Sequence, residues 1–484
     1  MRIARLTAIA PIVLLATACG GTQGAGTGAS DLVPASAPVY VALDTNTGSD
    51  QWKTVDALAS RFPDKAKGER ELKRSFEHDT GASWEQDVKP ALGDELDIVW
   101  LDFKSGGDHF VALLQPHDEK KFDEFARKAT AKDPTDPLLH DKFKGWEVIS
   151  DKQANIDRFE RESSAAADTL TDKPAFQHAM DTLGSDSIVR AFVDGTTIMN
   201  LVNANAGPGE RPFIKKVGTL DWVAARLGAK DDGLASDTIV HGTPGELFKG
   251  TPHGGAFTPN LTKSVPQDAL AYWTFHGTKN MLSGLQNNPV LATPELRRFS
   301  GVLKQVGAVL QGENALYVRA PTSGRLQEVT FVAAPGGGID GASVLDRLLA
   351  RFSRQIGMRP KRTSIAGTQS RTLDFGPAAL HYANVNGKLV LTDLPQGFRG
   401  VQHPGSPLAQ SGEFQGTKQS AGMPDKTQGF VYVNIHSTIP AVERLSHTKL
   451  PPQVSRNLKP LRSAMEYAVS RSHEIEISAF LRIK

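Results

Sequence analysis

Short apolar runs that alternate with polar residues recur along the chain, and each is followed by a stretch in which apolar residues return every three or four positions. Val33-Pro34 leads into VYVAL, and 232 residues later Val265-Pro266 leads into LAYWTF. DIVWLDF (97–103) with HFVALLQP (109–116) predicts a β-hairpin, and ALYVRAP (315–321) with EVTFVAAP (328–335) predicts a second. A helix is expected after each hairpin, Glu119 to Ala129 and Ala342 to Ile356. Leu170 with Phe176-Gln177 is matched by Leu408 with Phe414-Gln415, and IVRAFVDGTTI (188–198) by GFVYVNIHSTI (429–439). Helices at Phe213 to Leu227 and Val454 to Ser470 then precede the closing strands LASDTIVHG and EIEISAFLRI.

Eight features in one order predict two diverged tandem repeats of an α+β unit, 31–251 and 262–484. The Gly/Pro-rich TPHGGAFTPN (251–260) marks a linker, 252–261, between them. Each repeat is expected to be a mixed or antiparallel sheet with helices packed on one face.

The first eighteen residues follow a different pattern. Arg2 and Arg5 precede an apolar run from Leu6 to Leu15 that is too short to span a bilayer, and Ala16-Thr17-Ala18 then leads to Cys19. Small residues before a cysteine form a bacterial lipobox. The expectation is a lipoprotein signal peptide over 1–18, with Cys19 diacylated and holding the chain to the outer face of the cell membrane. Cys19 is the single cysteine of the 484 residues, so the position that needs a thiol has the only one. The following GGTQGAGTGAS completes a flexible tether, 19–30, whose eleven Gly/Ser/Thr-rich residues reach about 18 Å on average.

This organisation resembles bacterial envelope lipoproteins in general. The stretches VPASAPVYVALDTNTGSDQWKTVDAL (33–58), TGASWEQDVKPALGDEL (80–96), FVYVNI and IEISAFLRI resemble a family of such lipoproteins known only as a domain of unknown function. The resemblance implies an envelope location and a fold. It carries no activity and no catalytic residues.

Composition narrows the picture. A chain 39% hydrophobic and 22% charged can build real cores, and its length fits two or three domains. One cysteine excludes a disulfide scaffold, a zinc ribbon and an iron–sulfur protein. Charge is split by half. Residues 31–250 carry 27 Lys+Arg against 39 Asp+Glu, and residues 251–484 carry 26 against 14. The acidic and basic repeats are therefore expected to touch one another. Arg347, Arg351 and Arg354 share one face of a predicted helix, and Arg359, Lys361 and Arg362 follow it. Together they form a possible patch for an anionic partner, with an ordinary solvated helix face as the alternative. Nucleic acid is a poor partner for an envelope protein.

Chemistry-bearing strings are few. Asp79-Thr80-Gly81 has the composition of an aspartic-protease loop, but ERELKRSFEH before it is charged and helix-like, and no second copy exists. It reads as a turn and helix N-cap before Trp84. The thirteen histidines contain no H-x-H and no H-E-x-x-H, and His436 reads as a strand or core residue. Gly336-Gly337-Gly338 lacks the lysine and hydroxyl of a phosphate loop and reads as a connection. No catalytic residue, metal ligand or cofactor is assigned. Five of six tryptophans (52, 84, 100, 146, 222) fall in the first repeat, as core fillers or as the wall of a sugar or lipid pocket.

The reading that follows is a membrane-anchored extracytoplasmic lipoprotein, non-catalytic, that binds a lipid-like or apolar ligand or an envelope protein. The alternative is an envelope hydrolase whose residues converge only in space. A purely structural or stress-related surface protein is the third option.

Overall fold

The computed structural model describes residues 28–207, 211, 214, 218–243, 255–278, 300–320, 327–356, 359–376, 378–471 and 473–484. The stretch expected to be a signal peptide and Cys19 lie outside these residues. The chain divides into two compact units. The first runs to Asn205 and adds Leu220–His241 and Lys484; the second holds Ala206–Thr219 and Gly242–Ile483. The expected boundary at 251 lies outside the described residues.

The first unit contains β1 (Val39–Asp44), α1 (Asp50–Ala59), α2 (Lys65–Thr80), β2 (Glu95–Trp100), β3 (Phe110–Leu114), α3 (Glu119–Lys132), β4 (Leu139–Phe143), β5 (Trp146–Ser150), α4 (Gln153–Ala165), α5 (Pro174–Leu183), β6 (Val189–Asp194), α6 (Gly195–Asn205), β7 (Trp222–Lys230) and β8 (Gly233–His241). Its strands pair in the order β4-β5-β3-β2-β1-β6-β7-β8, each pair antiparallel.

Helices cover both faces of this sheet, not one. Val99, Val111 and Leu113 pack with Ile156 and Phe159 of α4 and Phe176 and Leu183 of α5. The alternate residues Leu96, Ile98, Ala112 and Leu114 pack with Phe76 of α2, Trp84, and Phe122 and Phe125 of α3. Strands buried on both sides lose the apolar–polar alternation. That is why FVALL is a continuous apolar run and IVW follows Asp97 without a polar break. The tryptophans serve these contacts. Trp84 meets Phe76 edge-to-face at 5.7 Å, and Trp52 donates to the Asp44 carbonyl at 2.8 Å.

The second unit contains β9 (Ala269–Gly277), α7 (Ser300–Val309), β10 (Gly312–Arg319), β11 (Glu328–Pro335), α8 (Gly341–Ile356), β12 (Lys361–Ile365), β13 (Thr368–Asp374), β14 (Ala379–Val385), β15 (Lys388–Thr392), α9 (Gln396–Gln402), α10 (Gly412–Ala421), β16 (Gly429–Val433), α11 (Ile435–Ser446), α12 (Pro452–Leu458), β17 (Leu461–Arg471) and β18 (Glu474–Ile483). The strands pair antiparallel in the order β12-β13-β14-β15-β11-β10-β9-β16-β17-β18. Val309 of α7 and Val344 and Leu348 of α8 cover Ala333 and Leu389 on one face. On the opposite face Phe414 of α10 packs against Phe430 and Tyr432. Both expected hairpins form, β2–β3 and β10–β11.

Two expected helices run into strands. Of 213–227, residues from 222 on form β7; of 454–470, residues 454–458 are helical in α12 and residues from 461 on form β17. The Ala, Leu, Arg and Lys of WVAARLGAK favour helix only weakly, and pairing on both sides with β6 and β8 overrides that preference. Within β17 the buried residues Ser463, Met465 and Tyr467 return with period two, which is the strand signature. The described part of the linker is not free either. Phe257 exchanges both backbone hydrogen bonds with Thr427.

Candidate functional site

Both units begin with the same device. In the first, a short turn at Ala29–Asp31 precedes β1, and the Ala29 N–H donates to Asp97 Oδ2 at 2.7 Å. The tether expected over 19–30 therefore gives way to fixed structure at Gly28, which is buried. In the second unit a turn at Leu261–Lys263 precedes β9, and the N–H groups of Asn260 and Leu261 donate to Glu313 at 2.9 and 2.7 Å. A carboxylate satisfies N–H groups that the first turn leaves without intrahelical partners.

The first of these clamps is electrostatically unusual. Asp97 is 0% exposed, and Glu95 stands two residues away on the same face of β2. A Cβ on Gly28 would lie 1.9 Å from Glu95 Oε1, so only glycine lets the backbone pass over the pair. Burial raises the pKa of Glu95, and the Asp97 charge raises it further; Arg190 opposes both at 3.3 Å. Burial also raises Asp97, against the bonds it receives from Ala29 and Tyr40. Glu95 Oε1 and Asp97 Oδ1 are buried without a hydrogen-bond partner among the described residues, and a proton shared between the two carboxyl groups would satisfy both.

The sign of the resulting pH effect is definite. A carboxyl group whose pKa is raised by folding stabilises the fold below its unfolded pKa, and that contribution is lost as pH rises through the folded value. The midpoint of thermal unfolding should fall as pH is raised from about 5 to about 8, and Glu95→Gln should flatten that slope. Equal slopes in parent and variant would remove the shared proton from the account.

A cleft of about 490 Å³ opens on the second unit. It is lined by Gln267 and Asp268 before β9, Arg319 at the end of β10, and Arg399, Gly400 and His403 on and just after α9. Arg319 is only 14% exposed, and its Nε and Nη2 each donate to Asp268 at 2.8 Å. Its Nη1 donates at 3.2 Å to Glu328, which is 1% exposed. Burial raises the Glu328 pKa, with Arg319 opposing. The side chains of Arg399 and His403 are exposed and form no hydrogen bond or ion pair with a described residue.

The predicted basic patch is spread over two elements. Arg347, Arg351 and Arg354 lie on α8, and Arg359, Lys361 and Arg362 lie before and within β12. Arg347, Arg359, Lys361 and Arg362 are exposed, and Lys361 lies 3.8 Å from Asp374. The side chains of Arg351 and Arg354 fall outside the described set. Asp79-Thr80-Gly81 closes α2, with Gly81 at φ +68° as its left-handed cap, so it ends a helix instead of starting one. His436 is exposed on the first turn of α11 and is not a core residue. Among the described residues no three His, Cys, Asp or Glu side chains converge as metal ligands.

The clamp and the cleft were both missed in the sequence. Asp97 carried the better signal, as a carboxylate at the head of the apolar run DIVWL. Arg399 and His403 are four apart in QGFRGVQHP, a spacing visible only once a helix is assigned there.

The turn, strand and hairpin at the front of the first unit lie in the stretch that matches a family model. Residues 3–169 match the model of "Protein of unknown function (DUF3352)". The match includes the stretches 33–58 and 80–96; FVYVNI and IEISAFLRI lie beyond it. No curated protein and no solved structure matches the chain. Among the described residues no helix is long and apolar enough to cross a membrane.

Proposed function

We propose that the chain is a lipid-anchored extracytoplasmic protein, non-catalytic, that holds a polar ligand in the cleft of its second unit. The observation that carries this reading is the lining of that cleft. Its one carboxylate, Asp268, is paired with Arg319, whose third contact is the buried Glu328 outside the cleft, so the exposed donors of Arg399 and His403 are left uncommitted. Of the raised carboxyl groups of the first unit, which a hydrolase could use, Asp97 is occupied in holding Ala29 and Glu95 is paired with Arg190. The polar lining favours a polar ligand over the lipid-like one expected from the fold pattern.

The two units are diverged copies in this reading. The succession β4-β5-β3-β2-β1-β6-β7-β8 recurs as β14-β15-β11-β10-β9-β16-β17-β18, with the hairpin β12–β13 added at one edge. The carboxylate-held head turn recurs as well.

The test of ligand binding is native mass spectrometry of the full chain, purified in detergent from a bacterial host with an envelope. A reproducible bound mass supports the reading, and its absence at native expression levels counts against it. The anchor is tested separately. Cys19→Ser should move the protein from the membrane pellet to the soluble fraction. A variant that stays in the pellet would remove lipidation as the anchor.

A further inference from the structure

We propose that the cleft is an oxyanion site, in which Arg399 and His403 hold a phosphate or carboxylate group carried by a small polar molecule. The proposal rests on the binding reading above and names its ligand class. Arg399 and His403 are four residues apart and so lie on one side of α9, where the His403 N–H also caps the Arg399 carbonyl at 2.9 Å. Two basic side chains one turn apart ordinarily draw a carboxylate, and the one carboxylate that lines this cleft, Asp268, is paired with Arg319. Asp268 and Glu328 already receive three of the five N–H donors of Arg319. Two guanidinium protons of Arg319 therefore remain for a ligand.

The floor adds a second observation. Gly400 lines the cleft, and a Cβ there would lie 3.3 Å from Tyr317 Oη, 3.4 Å from Pro266 Cγ and 3.5 Å from Arg319 Nη1. Gly400 thus lets α9 close onto Tyr317, Pro266 and Arg319. Donors gather at the rim from Arg319, Arg399 and His403 against one carboxylate, Asp268, while Gln267 at the side supplies a neutral amide. Clustered cationic donors are how proteins hold oxyanions. The volume suits one sugar-sized molecule carrying such a group.

The test is titration calorimetry on the full chain in detergent, with inorganic phosphate, glucuronate and neutral glucose as probes. Phosphate or glucuronate should bind with a Kd of about 0.1–5 mM, and glucose should not. Arg399→Gln and His403→Gln should each weaken binding about tenfold, and Arg127→Gln, an equal charge change on α3, should leave it unaltered. Binding of phosphate alone assigns a phosphoryl group; binding of glucuronate alone assigns a sugar carboxylate. Undiminished binding in the two cleft variants overturns the site. Glucose binding that Gly400→Leu abolishes keeps the cleft as a ligand site and overturns the oxyanion assignment. If no probe binds at about 20 mM and no native mass is retained, this proposal and the binding reading fail together.

Discussion

Replacing Arg319 with methionine should destabilise the second unit by about 3–5 kcal/mol, as measured by scanning calorimetry at neutral pH. Methionine keeps much of the apolar stem, so packing is largely preserved. What is lost is the guanidinium that reaches Glu328 from β10 to β11 and also holds Asp268. Glu328 is 1% exposed and cannot recover a hydration shell. It has to take up a proton or remain as a buried charge, and both cost free energy. The loss should therefore shrink on acidification, where protonation is easier. Adding Glu328→Met to Arg319→Met should restore most of the stability, because the apolar pair leaves no charge stranded. If the double variant is no better than the single one, the cost lies in packing and not in the orphaned carboxylate.

Phe192→Ala should cost the first unit a similar amount, about 3–5 kcal/mol. Phe192 is fully buried on β6, opposite Tyr40 in the ladder. Its ring meets Phe176 edge-to-face at 5.3 Å and lies under Lys173, whose ammonium is 5.9 Å from the ring centroid. The void left by truncation is bounded by β1, α5 and β6, all fixed by ladder hydrogen bonds or by other core residues, so it cannot close. Urea unfolding followed by tryptophan fluorescence is well placed to detect this, since five of the six tryptophans lie in this unit. A loss below about 1.5 kcal/mol would mean that the site relaxes, and would mark this core as loosely packed.

How far the fold could be read beforehand depended on the kind of signal. The hairpins at 97–116 and 315–335 were legible because their apolar runs are short and bounded by turn residues. The helices at 119–132 and 341–356 were legible because their apolar residues keep a helical period. Residues 461–471 were not, because LRSAMEYAVSR is rich in helix formers and its period-two burial appears only when β16 and β18 flank it. The second layer of helices was hidden for a related reason. A strand covered on both faces, such as FVALL, shows a run of apolar residues and not the number of its neighbours. The candidate cleft was invisible, since Asp268, Arg319 and Arg399 are separated by 51 and 80 residues and only the pairing of β9 with β10 and the docking of α9 assemble them.

The position of β1 has a mechanical consequence. β1 lies inside the first sheet, hydrogen-bonded along its length to β2 on one side and β6 on the other. Tension arriving through the residues before Gly28 would meet the Ala29–Asp97 bond and the backbone bonds of Val33 and Ala35 to Leu170 and Asp168 before it reached β1. Rungs on both sides of β1 would then have to break, where an edge strand is held on one side only. Ahead of them stands the Ala29–Asp97 bond, the first contact to bear the pull. A protein held to a surface by this end would resist force through its most deeply bonded strand.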